Sequence, residues 1–286
     1  ATLPEKTLNP GEEYNGSAVS STICLAMEST YDPTSPGPDG AGFLFRGYQI
    51  NATPGMHHLV VLGNHEDEPD GATSTACSDH LEEERLVLST APEGSSFLPE
   101  GVTLELAPFF GVAGSVHYLN VTGEVTTEGG TVDFFSADPD TIEHYASRVH
   151  ASNRSILVPA HSSSTSVATC LFPFAADVLV ISPHAHQHLT AYQIWVSGGP
   201  RDGELVYSFD GEYDQIPTLT YEPYIHLEPG EGFTYQCDFA NEGDVDVKFG
   251  ATGADFDMCN FNALYIDGQG PHICANKGDT VTAVPG

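Results

Sequence analysis

Short runs of aliphatic, β-branched and aromatic residues recur along this chain, and clusters of Gly, Pro, Asp and Ser separate them. Residues 42–50, 59–62, 102–106, 131–135, 178–181, 192–196 and 263–266 are runs of this kind. Their length and spacing predict strands, and a succession of them predicts an all-β sandwich. Helical periodicity is confined to 141–149 and 79–86, each enough for one or two turns. Residues 30–40 and 64–78 read as loops, and no internal repeat is visible. Ala137-Asp138-Pro139-Asp140 interrupts the pattern near its middle, and a Ser/Thr-rich stretch, 161–169, follows. A boundary at Asp140 divides the chain into domains of residues 1–140 and 141–286.

Composition narrows the function classes. At 286 residues and 40% hydrophobic content, the chain has room for one large β-domain or two of ordinary size, with a sizeable core. A formal charge of −32 argues against nucleic acid or an anionic membrane as partner, because both require Lys/Arg neutralisation. No apolar run is long enough for a transmembrane helix, so membrane insertion is not expected. The N-terminal Ala1-Thr2-Leu3-Pro4-Glu5 lacks a charged n-region and an apolar h-region. It reads as a mature end after signal removal, or as an artificial boundary. Six cysteines without a CxxC pair suit disulfides in an oxidising compartment, and predict a secreted or periplasmic protein. The boundary leaves Cys24 and Cys77 in the first half and Cys170, Cys237, Cys259 and Cys274 in the second, an even number in each. Sequons begin at Asn15, Asn51, Asn120 and Asn153.

Candidate chemistry lies in four stretches: Met56-His57-His58-Leu59, Val116-His117-Tyr118, Pro183-His184-Ala185-His186 and Asp257-Met258-Cys259-Asn260. Side chains at i and i+2 share one face of a strand, so His184 and His186 can reach one metal. His57 and His58 point to opposite faces of an ideal strand, and a shared metal there needs a bulge or a strand end. Pro54-Gly55 just before them supplies an irregularity. Each motif alone has a plainer reading: surface histidines at 184 and 186, one buried and one exposed at 57 and 58, a hydrogen-bonded strand residue at 117. A lone Met is ordinarily core filler. Met258, however, sits among polar residues beside a half-cystine, and a thioether is a soft ligand that favours Cu(I). His188 shares the face of His184 and His186 in an ideal strand and is a candidate to support the ligands from behind. The other histidines read as surface residues. No GxSxG, P-loop, GxGxxG or HExxH motif occurs.

Read in order, HH, H, HxH and M resembles the copper type II, ascorbate-dependent monooxygenases, the family of peptidylglycine α-hydroxylating monooxygenase and dopamine β-monooxygenase. The resemblance runs from about Cys24 to Cys274 and is best at 116–118, 184–186 and 258–260. It implies two antiparallel jelly-roll β-sandwiches facing across a cleft. It implies one copper on His57, His58 and His117, and a second on His184, His186 and Met258. It implies disulfides Cys24–Cys77, Cys170–Cys274 and Cys237–Cys259. The implied activity is hydroxylation of a C–H bond of a small molecule or peptide, with O₂ and with ascorbate as reductant. In this scheme the Met-containing centre carries the oxygen chemistry, so His184, His186 and Met258 are its catalytic ligands, and the first copper stores an electron. Two positions depart from the peptide-amidating members: Ser182 stands in place of their arginine, and Asn262 in place of their tyrosine. These departures motivate an alternative, a non-catalytic secreted copper-binding or storage protein on the same fold. The plainest alternative is a structural or adhesion sandwich with incidental histidines.

Overall fold

The computed structural model describes residues 2–20, 43–64, 73–74, 85–89, 93–106, 111–120, 122–211, 213, 216–250, 255–266 and 270–285. No α-helix occurs among them, and the protein is all-β. The chain forms two compact units, Ala1–Tyr145 and Ala146–Gly286.

The first unit contains β1 (Thr2–Leu8), β2 (Glu13–Ser20), β3 (Phe43–Ala52), β4 (Met56–Asn64), β5 (Thr73–Ser74), β6 (Arg85–Ser89), β7 (Glu93–Phe97), β8 (Val102–Leu106), β9 (Gly111–Leu119) and β10 (Thr126–Ser136). One sheet runs β1-β10-β3-β8, with β7 also on β3; the other runs β5-β2-β9-β4-β6. The pairings are antiparallel. Alternation sends Ile50, Val132 and Phe134 of the first sheet and Leu59, Val61, Val116 and Tyr118 of the second into the interior, where they are almost wholly buried.

The second unit contains β11 (His144–Asn153), β12 (Leu157–Val158), β13 (Ser162–Leu171), β14 (Ala176–Ala185), β15 (Leu189–Ser197), β16 (Leu205–Phe209), β17 (Leu219–Leu227), β18 (Gly232–Asn241), β19 (Val247–Phe249), β20 (Phe256–Asp257), β21 (Cys259–Ile266), β22 (His272–Asn276), β23 (Thr280–Thr282) and β24 (Val284–Pro285). One of its sheets runs β24-β22-β11-β21-β14-β17, a second β16-β15-β18-β13-β23, and a small third β12-β19-β20. Phe172, Phe174, Phe233 and Tyr265 pack largely edge to face at the centre. Two disulfides join the two large sheets: Cys170–Cys274 ties β13 to β22, and Cys237–Cys259 ties β18 to β21. They close separations of 104 and 22 residues, so loop entropy alone assigns them about 5 and about 3 kcal/mol. Cys24 and Cys77 lie outside the described residues.

Several local expectations change. The helical signal at 141–149 is overridden. A single 3-10 turn, Pro139–Thr141, is capped by Asp138, whose side chain accepts from the Asp140 amide at 3.0 Å. The rest is β11, paired on one side with β21 and on the other with β22, and its backbone groups are satisfied by neighbours rather than along a helix. The Ser/Thr-rich 161–169 is mostly β13, an interior strand between β18 and β23. Small hydroxyl side chains suit it, because Ser166, Ala168 and Cys170 alternate inward. Within 64–78, Thr73–Ser74 pairs with β2. The 79–84 part of the other helical signal lies outside the described residues, and Arg85–Ser89 is strand.

Two of the four sequons are unusable as they fold. Asn120 is buried and donates to the Leu8 and Glu124 carbonyls. Asn153 is buried too: its amide donates to Ser166 Oγ at 2.8 Å, and its oxygen accepts from the Ser155 and Gly278 amides at 3.0 Å each. Asn153→Ala should therefore cost about 2 kcal/mol by stranding these partners, measured as a lower denaturation midpoint at unchanged slope.

Candidate metal centre

β14 carries His184, and the candidate ligands His186 and Met258 lie one residue beyond the end of β14 and one before the start of β21. β14 and β21 pair antiparallel, with Ser182 opposite Asn262, His184 opposite Asn260 and Ala185 opposite Cys259. Ile181, Pro183 and Ala185 face the core, which turns Ser182 and His184 to the other face. β14 pairs with β17 only as far as Ile181, so Pro183 lies beyond that pairing, near an edge of the sheet where proline is tolerated. His186 is the first residue past the strand. The turn 186–189, closed by the Leu189 amide on the His186 carbonyl, then leads into β15 of the other sheet.

The two imidazoles converge. His184 Nε2 and His186 Nε2 are 3.1 Å apart, with the rings edge to face and both side chains half-buried. That separation is one two nitrogens adopt on a single metal with bonds of about 2.0–2.1 Å.

Met258 occupies the one-residue gap between β20 and β21. Its sulfur accepts from Asn260 Nδ2 at 3.1 Å. The next residue, Cys259, is locked to Cys237, and Tyr192, which pairs with Cys237 in the opposite sheet, donates its hydroxyl to the Asn260 carbonyl at 2.8 Å. Burial pushes the Tyr192 phenol well above its ordinary pKa, so it stays a donor.

Asp257 joins the two stretches. Its carboxylate, wholly buried, accepts from the backbone amides of His186, His188 and Met258. His188 Nδ1 lies 3.2 Å from the same carboxylate. The strand ends before His188, so this residue sits in the turn and meets Asp257 rather than extending the HxH face. Sequence reasoning assigned Asp257 no role; the available signal was a carboxylate directly before a candidate ligand.

Imidazole and thioether are donor types that copper takes, and two of these donors, His184 and His186, already meet at their Nε2 atoms. Asn260 Oδ1, beside this set, is a buried acceptor without a hydrogen-bond partner, an opening for a group the described residues do not supply.

In the first unit, the β4–β9 pairing sets His58 opposite His117, and its register shifts between Met56 and His58, so His57 is the extra residue. The turn before them packs closely against Glu128. The Gly55 amide donates to Glu128 Oε2 at 3.1 Å, and a Cβ on Gly55 would stand 2.3 Å from the Glu128 carboxyl carbon. The side chains of His57, His58 and His117 lie outside the described structure.

Other histidines divide. His161 and His226 are exposed and pair with Asp244 and Asp177. His272 is no surface residue: it is buried, with Nδ1 2.8 Å from the Tyr265 hydroxyl and the Phe174 ring against it. His150 Nδ1 lies 2.8 Å from Asn262 Oδ1, and Ser182 Oγ lies 2.8 Å from Thr218 Oγ1. The two positions that depart from the peptide-amidating pattern thus belong to a neutral polar row on the His184 face. His65 and His80 lie outside the described residues.

No family model matches the chain. No curated protein matches it either. Among solved structures, it is similar to infectious bursal disease virus Gt strain, at 11% identity over 93% of this chain and 71% of that one, with a TM-score of 0.15. The T13 particle of the same virus gives 11% identity over 94% and 70%, with a TM-score of 0.16. Its VP2 subviral particle gives 10% over 94% and 73%, with a TM-score of 0.14. Likeness at this level carries no argument about fold or function.

Proposed function

We propose that this protein is a copper-dependent monooxygenase built on two jelly-roll β-sandwiches, which hydroxylates a C–H bond using O₂ and an ascorbate-like one-electron reductant. The observation that carries the reading is the convergence of His184 and His186, 3.1 Å apart at Nε2, with the backbone amides of His186 and Met258 held by one carboxylate oxygen of Asp257. Copper held by His184, His186 and Met258 would supply a reducible centre with a position open for O₂, because a thioether is a soft, weak ligand. His57, His58 and His117 are assigned a second, all-imidazole copper that serves as electron store. The disulfides support residence in an oxidising compartment, outside the cell or in a periplasm.

The chain's own residues have separable parts. His184 and His186 would hold the metal through Nε2, which would leave the ring proton of each on Nδ1. Asn260 donates to the Met258 sulfur and draws on its lone pair, which keeps the thioether a weak donor. Ser182, Thr218 and Asn262, with the His150 imidazole on Asn262, would present hydrogen-bonding groups without a fixed charge to a substrate on the His184 face. An uncharged or weakly polar substrate suits that row better than a peptide carboxylate, which calls for a cation.

The same neutral row favours a second reading, a copper-binding or storage protein that does not turn over. Copper analysis after loading, followed by ascorbate-driven reaction with O₂ and candidate substrates, separates the readings. One copper for each three-ligand set with a hydroxylated product supports the enzyme. Copper in both sites with only uncoupled O₂ consumption supports storage. No copper retained would sink both.

A further inference from the structure

Asp257 is a wholly buried carboxylate whose hydrogen bonds go to the two ligand-bearing stretches. Its Oδ1 accepts from the His186 amide at 2.8 Å and from the Met258 amide at 2.7 Å. Its Oδ2 accepts from the His188 amide at 3.0 Å and lies 3.2 Å from His188 Nδ1. We infer that Asp257 is a positioning residue that assembles the His184, His186 and Met258 ligand set before any metal arrives, an inference that rests on the copper reading of that set.

The physical case begins with the backbone. Sheet pairing ends at Ala185 opposite Cys259, so His186 lies just beyond the ladder and Met258 just before it. Nothing in the sheet holds these two residues in register. A single oxygen atom does, by accepting both amides. The other oxygen holds the turn after His186 through His188, which stops the imidazole of His186 from swinging away with its backbone. Four donors fill the acceptor capacity of a carboxylate, which has no donor of its own when ionised. Burying a carboxylate is costly unless it is satisfied in this way, so a packing role alone would be better served by an apolar residue. A preformed ligand set gains affinity because binding does not have to order it.

The test uses the full chain and two readouts that do not depend on turnover. The first is Cu(I) affinity by chelator competition, with the sulfur shell in copper X-ray absorption. The first site is all-imidazole in the reading above, so sulfur scattering reports Met258. Asp257→Asn keeps one acceptor oxygen but turns an NH₂ toward the His188 amide. Asp257→Asn and Asp257→Ala should each weaken Cu(I) at this site by about 10- to 100-fold and diminish the sulfur shell, the scale expected for residues behind the ligands. His188→Gln, which keeps the His186 and Met258 bonds, should stay closer to wild type than either. The second readout is amide hydrogen exchange in the metal-free wild type, where His186 and Met258 should already be protected. Asp257→Asn with wild-type affinity and an intact sulfur shell overturns the inference, as does protection that appears only when copper is added. No sulfur shell in the loaded wild type would overturn the copper assignment itself, and the inference with it.

Discussion

If the protein is the copper monooxygenase proposed above, replacing Met258 with Ile should lower O₂-dependent hydroxylation by at least about 100-fold while leaving any copper on His57, His58 and His117 in place. Substitution behind a ligand already costs about 10- to 100-fold, and in the proposed site this change removes a ligand. The structure isolates the effect. Asp257 holds the Met258 backbone amide, not its side chain, so the clamp on His186 is unaffected. Cys259 remains tied to Cys237, and the Asn260 carbonyl remains bonded to Tyr192. Ile is close to Met in volume, and Met258 is half-buried, so the cost to folding should be about 1 kcal/mol or less. Only the sulfur, with its bond from Asn260, is lost. The measurement is product formation with ascorbate and O₂, paired with copper content and a thermal scan. Undiminished product formation in the variant would remove Met258 from the site.

Phe172→Ala should cost about 3–5 kcal/mol of stability, the ordinary range for a fully buried phenylalanine. Phe172 has no exposed surface. Its ring meets Phe174, Phe233 and Tyr265, at 5.7, 6.1 and 5.8 Å between centroids, with all three nearly edge to face. These partners come from both large sheets of the second unit: Phe233 lies on β18 and Tyr265 on β21. Removing the ring opens a cavity between sheets that two disulfides hold at their spacing, so collapse cannot fill it. The transition of this unit should fall by roughly 10 °C in a calorimetric scan. A fall of a degree or two would mean that the aromatic cluster is not where this unit's stability resides.

Strand character was legible where side chains alternate over a pleated, half-buried surface. Val102 to Leu106 is such a run and is β8; Tyr192 to Val196 falls inside β15. Both rest on propensity and period, which are local properties. The stretch 141–149 misled because a short mixed run suits either period, and its outcome was decided by β21 and β22, which lie far away in sequence. The sequons at Asn120 and Asn153 gave no sign that these side chains are buried, because a three-residue motif carries no information about burial. His272 looked exposed for the same reason, with Gly-Pro before it and Tyr265 unseen behind it.

The candidate centre divides along the same line. The sequence by itself determined that the chain is all-β, that donors of a soft-metal type exist, and that His184 and His186 are spaced for one side of an extended segment, since side-chain period is intrinsic to extended backbone. The tertiary structure decided that their Nε2 atoms meet at 3.1 Å, that Met258 is bound to the same carboxylate as His186, and that His188 turns to Asp257. Those facts depend on the register between β14 and β21 and on where each strand stops. Register is set by the packing of whole faces against the opposite sheet, so no short motif contains it.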